Sequence, residues 1–120
     1  MAEHIDLGKQ GEEIAVNYLR RKGYTILEQN WKLGKNEIDI IARDGKFIVV
    51  AEVKTRHSNF FAEPESSVTR EKQKSIVRAA NGYIRYKRLN NEVRFDVIAI
   101  LIGLEGEEIN HIEDAFYPTL

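Results

Sequence analysis

Glu37, Asp39, Glu52 and Lys54 are spaced so that one face of a β-hairpin could gather them. The two runs Asn36 to Arg43 and Lys46 to Thr55 are rich in β-branched residues and are joined by Asp44-Gly45, a strong two-residue hairpin signal. With Asp44-Gly45 as the loop, Arg43 pairs with Lys46, so Glu37 is expected to face Glu52 and Asp39 to face Val50. One face then carries Ile38, Ile40 and Ala42 against Phe47, Val49, Ala51 and Val53, and must be buried. The other carries Ile41, Ile48 and Val50 near the turn, and Glu37, Asp39, Glu52 and Lys54 further away. Like charges opposed across a sheet are destabilising, more so when partly buried. A divalent cation would relieve that conflict, and oxygen donors favour Mg²⁺ or Mn²⁺ over zinc. Lys54 could neutralise part of the cluster or orient a water. The plainer alternative is a solvated strand face with a surface ion pair.

The elements that must position these residues are readable in outline. Leu7 to Lys22 reads as a helix, with Asp6 as N-cap and Gly23 as its stop. Glu12 falls on the helical line of Gly8, Ala15 and Leu19 and so faces the sheet. Glu13 is turned away from that line by about 100°. Tyr24 to Trp31 is strand-like. Thr69 to Lys87 is a second helix, with Ile76, Val77, Ala80, Tyr83 and Ile84 on one face. Arg94 to Ile102 is a strong strand, and Glu107 to Glu113 a weaker, peripheral one. The order α-β-β-β-α-β-β predicts an α/β fold with a mixed sheet flanked by helices.

Composition narrows the function classes. The 120 residues hold 18 Lys+Arg, 19 Asp+Glu, 3 His and no Cys, for a formal charge of -1. One domain over residues 1–120 is the natural reading. Without Cys there is no disulfide framework, thiolate zinc site or Cys nucleophile. The three His show no metal-ligand spacing. No secretory signal or membrane-length apolar run is visible, so a cytoplasmic protein is expected, with no membrane partner. The charge is unevenly distributed. Residues 70–88 carry seven Lys/Arg and one acid, whereas residues 89–120 carry one basic and seven acidic residues. A basic second helix beside carboxylates suits a phosphate backbone, although such a run is often only a solvated face.

Asn36-Glu37-Ile38-Asp39-Ile40-Ile41-Ala42, followed by Ala51-Glu52-Val53-Lys54-Thr55-Arg56, resembles the YraN-like family of predicted bacterial endonucleases. That family falls within the restriction-endonuclease-like superfamily, marked by an Asp followed by Glu-x-Lys, and is similar to archaeal Holliday junction resolvases. The resemblance extends to Gly8-x-x-Gly11-Glu12-x-x-Ala15, Gly23-Tyr24, Asn30-Trp31, Val68-Thr69 with Lys72, Arg94-Phe95-Asp96-Val97, and His111-Ile112 with Ala115-Phe116. Asn36 stands where the family more often has Gly.

The resemblance implies a restriction-endonuclease-like fold and metal-dependent phosphodiester hydrolysis. It makes Asp39, Glu52 and the Val53 carbonyl ligands of Mg²⁺ or Mn²⁺, with Glu12 as a metal or water ligand. Lys54 would position the nucleophilic water or stabilise charge, and Glu37 would be an outer or second-metal ligand. Arg56, Arg70, Lys72, Gln73, Lys74 and Arg78 are candidate nucleic-acid contacts. Phe60 and Phe61, in the loop from His57 to Ser67, could stack on a displaced base or pack at a dimer contact. The implied substrate is DNA, including branched DNA, and analogy with resolvases suggests a homodimer. A non-catalytic nucleic-acid-binding subunit and a ribonuclease are the competing readings.

Overall fold

The computed structural model describes residues 6–57 and 68–117. In chain order it contains α1 (Leu7–Arg21), β1 (Thr25–Leu33), β2 (Asn36–Asp44), β3 (Phe47–His57), α2 (Arg70–Lys87), β4 (Glu92–Gly103) and β5 (Gly106–Phe116). The strands form one sheet in the order β1-β2-β3-β4-β5. Among the described strands, only β3 and β4 run parallel, because α2 crosses over between them. The expected α/β order and mixed sheet are therefore present. Phe60 and Phe61 lie outside the described residues. Among the described residues, no helix is long and apolar enough to cross a membrane.

Both helices begin as their sequences dictate. The Asp6 carboxylate accepts from the Gly8 and Lys9 N–H groups, and Thr69 Oγ accepts from the Lys72 N–H at 3.1 Å. α1 covers one sheet face with Ala15, Val16 and Leu19, packed on Ile40, Ala42, Val49, Ala51, Ile98 and Ile100. α2 covers the other with Ile76, Ala79, Ala80 and Tyr83, packed on Ile41, Ile48, Val50, Phe95 and Val97. β5 is an edge strand, as expected, and is longer than its sequence pattern suggested.

Two expectations about the hairpin need correction. Asp44 pairs with Phe47, and Ile40 with Ala51, so the loop is Gly45-Lys46 rather than Asp44-Gly45. Gly45 has φ +57° at the first loop position, as a II′ turn requires. Asp44 is drawn into the strand, where its carboxylate accepts from Arg94 at 3.1 Å. The slip is even, so each β3 side chain keeps its face. It removes the expected opposition of Glu37 and Glu52: Glu37 instead pairs with Lys32 on β1. Ile38 also departs from expectation, joining the α2-side core instead of the side of Ile40 and Ala42. β2 pairs with β3 only as far as Ile40↔Ala51, and beyond that point Ile38 follows its β1 partner Trp31, which meets Tyr83 edge-on.

A buried polar network locks β4, β5, α1 and the start of β1 together. Asp96, with no solvent exposure, accepts twice from Arg94 at 2.9 Å and once from His111 Nε2 at 2.7 Å. Its other oxygen accepts from the Asp114 N–H at 3.1 Å, which holds Asp114 at φ +57°. A carboxylate only accepts, so His111 Nε2 is the donor, and in the neutral ring Nδ1 is left to accept from Tyr18, 3.0 Å away. Arg94 also donates to the Tyr24 hydroxyl at 2.7 Å. Burial alone would raise the Asp96 pKa, but the bonds from His111, Arg94 and Asp114 hold it below the ordinary carboxylate value.

Two stability outcomes follow. A Cβ on Gly11 would run into Thr55 on β3, so Gly11→Ala should cost ~1–3 kcal/mol, read as a lower urea midpoint with unchanged slope. An unchanged midpoint would refute this close approach. Asp96→Asn removes the buried carboxylate shared by Arg94 and His111, leaving Arg94 only its contacts to the more exposed Asp44 and Glu113, and should cost ~3–5 kcal/mol. Because the folded pKa is depressed, the Asp96 contribution is complete above the unfolded value and disappears as pH falls through the folded one. Urea titrations across acid pH should therefore show a flatter pH dependence in Asp96→Asn than in the parent.

Candidate functional site

Asp39 lies where β2 and β3 part. Its Oδ2 accepts from the Val53 N–H at 2.8 Å, filling the place of a backbone partner. In an antiparallel pair, one residue's N–H and C=O face the same neighbour. The Val53 carbonyl is therefore on the Asp39 side of β3. Glu52 precedes it, on the α2 face with Ile48 and Val50, and is only 5% exposed. Lys54 Nζ stands 3.6 Å from Glu52 Oε2, and Lys72 Nζ, from the first turn of α2, 3.8 Å from the same oxygen. The Thr69 cap fixes that turn. Asn36 also ties β2 to α2, with its Oδ1 accepting from Ser75 Oγ at 2.5 Å.

The electrostatics follow from this packing. Burial and the neighbouring Asp39 charge push the Glu52 carboxyl up to about 7, against the opposing pull of Lys72 and Lys54. Glu12 reaches the same region from α1. Burial raises its pKa first, then the charge of Asp39, with smaller contributions from Glu37 and Asp6, while a hydrogen bond from Asn30 lowers it. Asp39 thus acts on one carboxylate from each layer.

Asp39, Glu52, Lys54, Lys72 and Glu12 belong to this neighbourhood. Glu13 is exposed, as the helical geometry requires. Glu37 lies at the rim, 4.0 Å from Lys32, and acts only at a distance. Gln73 does not turn toward the carboxylates: its side chain donates to the Val68 carbonyl at 3.0 Å. Arg56 Nη1 donates to the Thr55 carbonyl at 2.9 Å. Arg70, Lys74 and Arg78 lie together along another side of α2.

Asn30 is the contributor whose role the sequence reading missed. It sits at φ +52° between Gln29 and Trp31, the partners of Ile40 and Ile38, and is therefore opposite Asp39. Asn tolerates this left-handed backbone, and that tolerance was the available signal.

The donor set is all oxygen: two carboxylates beside a strand carbonyl, with a third carboxylate on α1. A buried carboxylate with a raised pKa beside a half-buried one is what a hard divalent cation would relieve, so the residues fit Mg²⁺ or Mn²⁺. Among the described residues, no three His, Asp or Glu side chains form a ready-made metal cage.

Residues 11–100 match the profile of the uncharacterised protein family UPF0102. The chain belongs to UPF0102. A UPF0102 protein of Christiangramia forsetii is 49% identical over 117 residues, spanning 98% of both chains. A UPF0102 protein of Thermodesulfovibrio yellowstonii is 50% identical over 113 residues, spanning 94% of this chain and 97% of that one. A third, from Bacteroides thetaiotaomicron, is 47% identical over all of this chain and 99% of its own. The solved structure of Pyrococcus furiosus SfsA in complex with Ca²⁺ aligns at 12% identity with a TM-score of 0.33. That alignment covers 89% of this chain and 62% of the other, a likeness too distant to bear on function.

In this UPF0102 chain Glu52 should govern a pH-dependent loss of stability. Its folded pKa, about 7, lies above the ordinary 4.5, so its contribution is complete below 4.5 and declines as pH rises through about 7. Glu52→Gln mimics the protonated form. In EDTA the variant should match the parent at acid pH and exceed it by ~1–3 kcal/mol near pH 8. Urea unfolding across that range checks it, and equal pH slopes for the two proteins would refute the burial of charge at Glu52.

Proposed function

We propose that this UPF0102 chain is a divalent-metal-dependent nuclease that hydrolyses phosphodiester bonds in DNA, including branched DNA. The observation that carries the reading is Glu52, buried beside Asp39 and faced by Lys54 and Lys72. Stability does not call for this arrangement, because burying a carboxylate next to another opposes folding. The Asp-then-Glu-x-Lys pattern, shared in kind with restriction-endonuclease-like enzymes, supports the same reading.

Asp39, Glu52 and the Val53 carbonyl are the groups that would hold Mg²⁺ or Mn²⁺, with Glu12 as an additional oxygen donor from α1. A bound divalent ion lowers the pKa of its water and polarises a phosphoryl oxygen. Lys54 sits beside Glu52 and supplies positive charge where the phosphorane would develop it. Lys72 adds a second cation from α2 and, with the basic residues of that helix, attracts the phosphate backbone. Glu37, at the rim, contributes through its charge. The second reading, a non-catalytic nucleic-acid-binding subunit, draws on the absence of a ready-made three-ligand cage among the described residues.

A cleavage panel decides between them. Linear, nicked, flapped and four-way DNA, with RNA alongside, are incubated with the protein and Mg²⁺ or Mn²⁺. The nuclease reading expects cleavage of DNA that Asp39→Ala and Glu52→Ala each abolish, and that Lys54→Ala slows ~100-fold without weakening DNA binding. Bound but intact DNA on every substrate favours the binding subunit. Cleavage that survives both carboxylate substitutions overturns the assignment of the site.

A further inference from the structure

The outer side of α2 carries a pocket of about 230 Å³, lined by Arg70, Gln73, Lys74, Val77, Arg78 and Tyr117. Arg70, Lys74 and Arg78 follow one another at intervals of four, so they form a row along one side of the helix about 12 Å long. Among the described residues, none of the three has an acidic side chain within ion-pair distance. Three such cations in a row suit consecutive phosphates rather than a single carboxylate.

Tyr117 forms the wall that α2 does not. It is 67% exposed, so much of its ring is open to solvent. It is also held in place. Its hydroxyl donates to Asp114 Oδ2 at 3.0 Å, and Asp114 is itself fixed by the bond from its N–H to Asp96. The ring is thus tethered to the buried network rather than free to sweep through solvent. A pocket of this volume is below the ~300–1,000 Å³ of sites for drug-sized ligands, and so suits one flat ring. Val77 adds an apolar contact beside the cations.

We infer that this pocket takes an unpaired nucleotide of the DNA strand, its base stacked on Tyr117 and its flanking phosphates on Arg70, Lys74 and Arg78. Base-on-aromatic stacking requires an exposed base face, which a duplex does not offer at its side. The substrate therefore has a single-stranded segment, as a flap or an open junction arm has. Lys72, on the same helix turn as Arg70 and Lys74, points to Glu52. Lys72 lies about 200° round the helix from both Arg70 and Lys74, so the pocket and the carboxylates are on opposite sides of α2, and a strand held in the pocket must cross the start of that helix to reach them. The inference rests on the nucleic-acid half of the proposed function.

The test is equilibrium binding in EDTA, with labelled oligothymidylate and a duplex of equal length as probes. The parent should prefer the single strand. Tyr117→Ala should weaken single-strand binding ~10-fold and leave duplex binding unchanged, whereas Tyr117→Phe should retain most of the affinity. Lys74→Ala and Arg78→Ala should each weaken single-strand binding and lower its salt dependence by ~0.7 per lost contact. Circular dichroism confirms that each variant is folded. Equal losses on both probes, an unaffected Tyr117→Ala, or no binding to either probe overturns the inference. A parent that cleaves DNA while Tyr117→Ala binds normally removes this pocket and keeps the nuclease. A parent that shows the predicted binding but cleaves nothing keeps the pocket and removes the nuclease.

Discussion

The arrangement around the carboxylates depends on one constraint: β2 and β3 stop pairing after Ile40 and Ala51. Two strands that part leave backbone groups without partners, and an unpaired N–H in a protein interior is costly. Asp39 removes that cost by accepting from the Val53 N–H, and in doing so brings its charge up against Glu52. The unfavourable pairing of carboxylates is thus built into the hydrogen bond that closes the gap. The lysines on β3 and α2 offset it only partly, since the Glu52 pKa remains raised.

A second network does the opposite. Around Asp96 every charge has its counterpart: a guanidinium with two parallel bonds, an imidazole N–H and a backbone N–H. The Asp96 pKa is lowered, whereas that of Glu52, on the neighbouring strand, is raised. The contrast separates two uses of buried carboxylates. One fixes an edge strand to the sheet and holds a left-handed residue in place. The other is left electrostatically incomplete and open to a cationic ligand.

Local pattern carried much of this organisation. The alternation of β3, the Asp6 cap and the helical line through Glu12 all depend on residues within a few positions of one another, and each is legible. The hairpin register was not. Asp44-Gly45 is a good turn by local preference, but Arg94, fifty positions away, engages Asp44, and the loop moves on by one residue. The position of Ile38 was hidden for a related reason, because its face is set by where β2 leaves β3. His111 has no metal-ligand spacing in the sequence, and its partner Asp96 lies on the neighbouring strand, fifteen positions away. Tyr117 had no signal in the sequence, since its use depends on the placement of α2 beside the end of β5.

The parallel seam between β3 and β4 has a consequence for the order of assembly. The other strand pairs are hairpins joined by short turns, and such contacts close quickly. Every pair across the seam is 45 residues apart in the chain, so its closure carries the largest loss of chain entropy and sets the pace of folding. Until α2 and β4 dock, β3 is one strand of a local hairpin and Glu52 remains in water. Its desolvation therefore falls at the end of the pathway, after most of the sheet has formed. Because the step that buries it is that same slow docking, part of its cost slows the docking and the rest shortens the lifetime of the folded protein.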